Sequence, residues 1–184
     1  MFRLPNLISL LRLLSAPLVG WLLYGGRFRT ALFVLLIAGV TDWLDGYAAR
    51  KLRMTNRIGI VLDPLADKVL LVVVFVCLGL LGLIPFWLFV MVVVRDLVIV
   101  TGALLLRLLR NRREFIPSLM GKISTFFQLV LAFLAVVHAA FPYRIIEAMQ
   151  IMGVILTATF TMLSGLDYVR QGIQMARQPP LEKT

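Results

Sequence analysis

The feature that most constrains this chain is a series of apolar stretches, each long enough to cross a lipid bilayer. A helix needs about 20 predominantly apolar residues to span the hydrocarbon core. Turn signals such as Gly25-Gly26 and Phe141-Pro142 separate several of the stretches. The predicted spans are Leu7–Tyr24, Thr30–Tyr47, Ile60–Leu81, Phe86–Leu108, Leu119–Ala140 and Ile145–Tyr168. The pattern predicts an all-α, polytopic membrane protein with six transmembrane helices.

The composition excludes the common alternatives. Hydrophobic residues make up 61% of the 184 residues, and charged residues make up only 15%. A globule of this size has too little interior for so many apolar side chains, which excludes a soluble, disordered or fibrous protein. Because the chain is so apolar, we interpret the net charge of +10 as serving the binding of anionic lipid head groups and the membrane topology, rather than the binding of nucleic acid. The single cysteine, Cys77, excludes a disulfide framework.

The distribution of Lys and Arg predicts the orientation. With both termini in the cytoplasm, the inner segments hold thirteen Lys and Arg residues, and the outer turns hold only Arg27, Arg29 and Arg144. Positive charge accumulates on the cytoplasmic side of membrane proteins, so we expect both termini there. We expect one membrane domain over residues 1–172 and a short cytoplasmic tail over residues 173–184.

Four aspartates are the main candidates for chemistry. Asp42 and Asp45 are three residues apart near the end of the second span, and Asp63 and Asp67 are four apart near the start of the third. On helices each pair shares a face, and the connection between the two spans is short. Unpaired carboxylates at one membrane depth would repel one another, and one or two divalent cations would resolve the repulsion. Hard oxygen ligands favour Mg²⁺, Mn²⁺ or Ca²⁺ over zinc.

The residues between the two acid pairs suit a phosphate ligand. Gly46 and Ala49 keep one helix surface narrow, so a flat ligand could lie against the backbone, and Arg50 offers a planar, bidentate phosphate donor. Close helix packing through small residues is the alternative interpretation of Gly46 and Ala49.

These residues together resemble the signature of a known family, the CDP-alcohol phosphotransferases. Eight fixed residues across 26 positions match it, and the motif reads Asp42-x2-Asp45-Gly46-x2-Ala49-Arg50-x8-Gly59-x3-Asp63-x3-Asp67. The segment from Leu4 to Arg12 is similar to the family's N-terminal Pro-Asn element, and the six-span layout also agrees. The resemblance therefore covers most of the chain and is sharpest over residues 4–70.

The resemblance implies a metal-dependent phosphatidyltransferase that uses CDP-diacylglycerol. Asp42, Asp45, Asp63 and Asp67 would hold two divalent ions, Mg²⁺ or Mn²⁺, at the CDP-linked pyrophosphate. Asp67 would also act as general base on the acceptor hydroxyl. The ions would neutralise the pyrophosphate and stabilise the leaving CMP.

The resemblance also implies how the nucleotide is bound. Gly46, Ala49 and Arg50 would bind the cytidine nucleotide and its phosphates, and Gly59 would let the nucleotide approach the third span closely. We expect a homodimer in the bacterial or mitochondrial inner membrane, with the active site on the cytoplasmic or matrix face.

The second half of the chain should bind the acceptor alcohol. Arg95 and Lys122 lie within predicted spans, where a cation facing lipid is costly, so we expect them to form a basic pocket for an anionic acceptor. The alternative is that Asp96 or Asp67 pairs with one of these cations for structural reasons.

The identity of the acceptor is harder to predict. The segment Arg95-Asp96, with Lys122, Thr125 and Gln128, is similar to cardiolipin synthases, whose acceptor is phosphatidylglycerol. The same region also resembles phosphatidylglycerophosphate synthases, which use glycerol 3-phosphate, and Ser124 departs from both patterns. We favour phosphatidylglycerol as the acceptor and keep glycerol 3-phosphate as the alternative.

A small ion or proton transporter is the competing hypothesis from another class. Such a protein would distribute its ionisable groups across the membrane depth, often at broken helices. Here the acids cluster towards the predicted cytoplasmic side. The sequence therefore favours the enzyme.

Overall fold

The computed structural model describes the backbone of residues 4–52, 57–110 and 118–177, and the side chains of residues 14–41, 68–102 and 118–174. Within these ranges the chain forms six α-helices and no strand. The helices are α1 (Leu4–Tyr24), α2 (Phe28–Leu52), α3 (Arg57–Leu80), α4 (Phe86–Arg110), α5 (Leu119–Ala140) and α6 (Arg144–Arg177). The all-α prediction is confirmed for the described residues.

Glycine and proline end the helices where the turn signals predict it. Gly26 has φ +67° and Gly82 has φ +69°, backbone conformations that side chains with a Cβ rarely adopt. Pro85 precedes α4, and its carbonyl accepts the hydrogen bonds from Leu88 N and Phe89 N. These residues explain why α1, α3 and α4 begin or end there.

The sixth helix extends beyond the last predicted span. That span is predicted to end at Tyr168, but α6 continues as a helix to Arg177, and the boundary of the cytoplasmic tail at residue 173 stays a prediction. The apolar run ends near Tyr168, and polar residues such as Gln171 and Gln174 carry the helix further, because they are as compatible with an α-helix as apolar ones.

Two helices meet the length and composition expected of a membrane span over the described residues, Leu119–Ala140 and Arg144–Gln174. Shorter apolar helical segments cover Leu14–Tyr24, Phe28–Thr41 and Lys68–Leu80. Many large apolar side chains are exposed, among them Phe33, Ile145 and Met162. Exposed apolar surface on this scale is typical of helices that face lipid. Six spans and the orientation of the termini remain predictions.

The chain divides into two compact units. The first comprises residues 1–84 and 132–147, and the second comprises residues 85–131 and 148–184. The boundaries fall inside α5 and α6, so both helices contribute to both units.

In the first unit, α1 packs against both α2 and α3. Ala16, Val19 and Leu23 of α1 and Leu78 of α3 are fully buried. A Cβ on Gly20 would lie 3.2 Å from Val73 Cγ1, so the missing side chain lets α1 approach α3 closely. The helix α1 therefore supports the two helices that carry the aspartate motif.

The second unit contains α4, the first half of α5 and most of α6. Its interior differs from that of the first unit because hydroxyl and amide side chains occupy it. Among its described side chains, the buried polar ones are Arg95, Ser118, Ser124, Gln128, Thr157, Thr161 and Ser164.

Candidate active site

The backbone of the aspartate motif agrees with the sequence prediction. Asp42 and Asp45 lie within α2, and Asp63 and Asp67 lie within α3. Because both segments are α-helical, residues three and four apart share a helix face, so Asp42 and Asp45 occupy one face of α2, and Asp63 and Asp67 occupy one face of α3. The helical positions confirm the premise on which the predicted cation site depends.

The motif's side chains lie outside the described residues. This applies to all eight fixed positions, namely Asp42, Asp45, Gly46, Ala49, Arg50, Gly59, Asp63 and Asp67. The metal, nucleotide and general-base roles therefore stay predictions. The donor set fits the implied ions, because four carboxylates supply hard oxygen ligands and anionic charge. Among the side chains that are described, no group of three or more His, Cys, Asp or Glu residues could hold a metal ion.

Arg95 is the centre of a buried polar cluster in the second unit. Its side chain on α4 is only 7% exposed. The guanidinium donates from Nε and Nη2 to Ser164 Oγ, at 3.1 and 2.6 Å, and from Nη2 to the carbonyl of Gly121, at 3.4 Å. Nη1 donates to Asp96 Oδ1 at 2.7 Å. Arg95 thus connects α4 with α5 and α6.

The ring of Tyr168 completes the cluster. The guanidinium carbon of Arg95 lies 5.5 Å from the centre of this ring, within the range of a cation–π interaction. The Tyr168 hydroxyl accepts a hydrogen bond from the backbone N–H of Ser118 at 3.2 Å. A Cβ on Gly121 would lie 2.5 Å from the same hydroxyl oxygen, so the ring fits only because residue 121 has no side chain.

The two predicted acceptor-binding cations differ in burial. Arg95 is buried, as expected, whereas the side chain of Lys122 is exposed on the first turn of α5. The expectation that both cations are buried is therefore wrong for Lys122. The position on the helix explains this, because Gly121 and Ser124 occupy the buried face and Lys122 lies between them on the other side.

The structure also contains the ion pair that we gave as the alternative role of Arg95. Asp96 forms an ion pair with Arg95 and is 19% exposed. The pairing lowers the cost of a buried guanidinium. It leaves the second N–H of Nη1 without a partner among the described residues.

A column of hydroxyl and amide groups extends the cluster between α5 and α6. Ser124 Oγ and Thr161 Oγ1 are 3.1 Å apart, and Gln128 Nε2 donates to Ser124 Oγ at 3.3 Å. Thr157 Oγ1 donates to the carbonyl of Phe127 at 3.1 Å. We call Ser124, Gln128, Thr157 and Thr161 the polar seam.

The sequence prediction missed the α6 side of this region. The residues concerned are Thr157, Thr161, Ser164 and Tyr168, all of them buried. They recur every three or four residues, which is the signature of one face of a helix. The sequence contains this spacing, but the surrounding residues are apolar, so the segment was interpreted only as a membrane span.

A family model described as CDP-alcohol phosphatidyltransferase matches residues 2–163. Among the similar proteins is "CDP-diacylglycerol--glycerol-3-phosphate 3-phosphatidyltransferase 1, chloroplastic" of Oryza sativa, 35% identical over 76% of this chain and 47% of that protein. The chain therefore spans about half the length of the rice protein.

Two further relatives are similar over most of this chain. "CDP-diacylglycerol--glycerol-3-phosphate 3-phosphatidyltransferase" of Aquifex aeolicus is 32% identical over 94% of this chain and 97% of that protein. "Cardiolipin synthase (CMP-forming)" of Homo sapiens is 31% identical over 93% of this chain and 62% of that protein. Relatives whose names specify two different reactions are thus similar to this chain to nearly the same extent.

Proposed function

Because the chain belongs to the CDP-alcohol phosphatidyltransferase family, we propose that it transfers a phosphatidyl group from CDP-diacylglycerol to a glycerol-containing anion and releases CMP. The observation that carries the proposal is the complete eight-residue motif on α2 and α3. Membership in an enzyme family also argues against the competing hypothesis that the chain is an ion or proton transporter.

In the proposed reaction, the oxygen of an acceptor hydroxyl bonds to the phosphorus that bears diacylglycerol. The bond from that phosphorus to the CMP oxygen breaks, and CMP leaves with the electron pair. Asp67 takes the proton of the acceptor hydroxyl, which must be in contact with it for this step. Asp42, Asp45, Asp63 and Asp67 would hold two divalent ions, which would supply charge neutralisation at the pyrophosphate.

The nucleotide half of the substrate is assigned to the residues between the acid pairs. Arg50 would donate to a phosphate through two parallel N–H groups, which a lysine could not do. Gly46 and Ala49 would leave room for the cytidine on α2, and Gly59 would do the same on α3. None of these roles requires the second unit of the chain.

The acceptor is assigned to Arg95 and Lys122. Lys122 lies in the first turn of α5, where the positive end of the helix dipole disfavours a cation, so an anionic ligand would relieve the repulsion. Among the described side chains of this region, Arg95 and Lys122 contribute two positive charges and Asp96 one negative charge. A ligand with one negative charge would balance them, which supports the phosphodiester of phosphatidylglycerol and cardiolipin as the product.

Glycerol 3-phosphate is the second candidate acceptor. The names of the rice and Aquifex relatives specify it. It carries nearly two negative charges, so it would require more positive charge than Arg95 and Lys122 leave unpaired. Backbone N–H groups at the start of α5 could provide that attraction.

The test is CMP release by the purified full chain in mixed micelles of CDP-diacylglycerol and Mg²⁺. One reaction contains phosphatidylglycerol as the acceptor, and the other contains glycerol 3-phosphate. Cardiolipin as the product supports the leading proposal. Phosphatidylglycerophosphate without cardiolipin would instead establish the second candidate. If CMP is released neither with phosphatidylglycerol nor with glycerol 3-phosphate, both candidates are contradicted.

A further inference from the structure

We infer that Ser164 and Tyr168 are positioning residues that orient Arg95 towards the anionic group of the acceptor. Both residues belong to α6, and Arg95 belongs to α4. The inference rests on the proposed function, because it assigns the acceptor to Arg95. It goes further by giving a role to two residues outside the signature motif.

The hydrogen bonds of Arg95 distinguish two edges of its guanidinium. The edge with Nε and Nη2 is fully hydrogen-bonded, and the edge with Nη1 is only partly hydrogen-bonded. A guanidinium has five N–H groups, one on Nε and two on each terminal nitrogen. Ser164 Oγ accepts from Nε and Nη2, and the Gly121 carbonyl accepts from Nη2, so the three groups on this edge are all engaged. On Nη1 one group donates to Asp96, and the other has no acceptor among the described residues.

The burial of the partners shows which edge a ligand can reach. Ser164 is 0% exposed, and Gly121 is also buried. Asp96, beside Nη1, is 19% exposed. The anionic group of a ligand therefore approaches Arg95 from the Nη1 edge, while Ser164 fixes the opposite edge.

Tyr168 restrains the guanidinium in the remaining direction. Its ring lies against Arg95, and its hydroxyl is tied to the backbone of Ser118 at the start of α5. The cation–π attraction holds the guanidinium against the ring. Ser164 and Tyr168 are four residues apart, so one face of α6 supplies both restraints.

The first experiment compares two serines with the same burial. Ser164→Ala removes the acceptor of two Arg95 hydrogen bonds, and Ser124→Ala removes a hydroxyl that bonds to Thr161 and Gln128 instead. Both serines are 0% exposed. We expect Ser164→Ala to raise the KM for the anionic acceptor about tenfold, the size expected for a hydrogen bond to a charged group. In this variant the KM for CDP-diacylglycerol should change less than about twofold. In Ser124→Ala, the KM for the acceptor and the KM for CDP-diacylglycerol should each change less than about twofold.

The second experiment asks whether the effect passes through Arg95. In an Arg95→Gln background, Ser164→Ala should cause no further rise in the acceptor KM. Ser164→Thr keeps the hydroxyl and should restore most of the acceptor affinity. Tyr168→Phe keeps the ring and should raise the acceptor KM less than Tyr168→Leu does.

The outcomes separate this inference from the proposed function. Equal kinetics for Ser164→Ala and Ser124→Ala, or a full Ser164→Ala effect in the Arg95→Gln background, would overturn the positioning role while the phosphatidyltransferase activity stands. An unchanged acceptor KM in Arg95→Gln would overturn the acceptor assignment, and the inference would fall with it. If Ser164→Ala does not fold, judged by size-exclusion chromatography, the comparison of Tyr168→Phe with Tyr168→Leu decides, and equal acceptor KM values there contradict the inference.

Discussion

Asp63 tests the motif most directly, because its amide analogue has nearly the same shape and no charge. We predict that Asp63→Asn lowers the rate of CMP release about 100-fold or more. Losing one anionic ligand should cost about 3 kcal/mol of transition-state stabilisation, and each 1.36 kcal/mol corresponds to a factor of ten. The measurement is CMP release from CDP-diacylglycerol across a Mg²⁺ titration.

The control for this prediction is Asp167→Asn on α6. Asp167 accepts a hydrogen bond from Gln171 and lies outside the motif, so the same chemical change should leave activity nearly intact. Near-normal turnover of Asp63→Asn, with unchanged dependence on Mg²⁺, would contradict the cation site.

Gly121 allows a second prediction at the scale of one residue. We predict that Gly121→Ala lowers the midpoint of thermal unfolding in detergent, because the new Cβ would collide with the Tyr168 hydroxyl and ring. The ring cannot move freely, since its hydroxyl is bonded to Ser118 and its face lies against Arg95. An overpacked contact of this kind typically costs about 1–3 kcal/mol.

Gly102→Ala is the matched control for Gly121→Ala. Gly102 lies within α4, and no atom of the described residues lies within 4 Å of a Cβ built on it. Alanine is the better helix former by about 1 kcal/mol, so this variant should be as stable as the parent or slightly more stable. Equal unfolding midpoints for the two variants would show that Tyr168 does not require the glycine.

Sequence reasoning identified Arg95 and its ion-pair partner Asp96, but not the partners of Arg95 on α5 and α6. The cost of a cation within an apolar segment identified the residue, and the adjacent Asp96 suggested the ion pair that the structure contains. Ser164 lies 69 residues further along the chain, and Gly121 lies 26 residues away. Which helix faces meet depends on tertiary packing, which apolar periodicity alone does not specify.

The sequence predicts a helix end more accurately where turn residues follow it than where the helix continues into polar sequence. The predicted fifth span, Leu119–Ala140, agrees with α5 at both ends, because Ser118 and Phe141-Pro142 flank it. Ser118 Oγ accepts the N–H of Gly121, the usual bond of a helix N-cap. By contrast, the second span was predicted to end at Tyr47, and α2 continues to Leu52. An apolar run marks the membrane, whereas a helix ends only where its backbone hydrogen bonds end.

The polar seam gives a prediction about the pairing of α5 with α6. We predict that Ser124→Ala and Thr161→Val each destabilise the protein by about 1 kcal/mol, because each removes the buried hydrogen bond between the two hydroxyls. The double variant should lose less than the sum, with a coupling of about 0.6 kcal/mol, as for hydrogen bonds between membrane helices. Thermal unfolding of the four proteins of this double-mutant cycle in one detergent measures the coupling. Additive losses would mean that the two hydroxyls act independently.

At the scale of the whole molecule, the proposed activity would depend on which side of the bilayer the motif faces. The motif belongs to the first unit of the chain, and Arg95 and Lys122 belong to the second. The predicted cytoplasmic orientation would give the active site access to CMP-containing substrates on that face. The orientation is therefore the property of the whole chain that most constrains its function.

We predict that both termini and the loop around Arg53 lie in the cytoplasm. Thirteen Lys and Arg residues lie in the segments assigned to the inner side and three in the outer turns, and the opposite orientation would reverse this bias. The measurement uses a Cys77→Ala background, because Cys77 is the single cysteine of the chain. Arg53→Cys should react with a membrane-impermeant maleimide only after the cells are opened. Arg27→Cys, at an exposed position between α1 and α2, should react in intact cells. Labelling of Arg53→Cys in intact cells would reverse the topology, and with it the side of the membrane on which CMP is released.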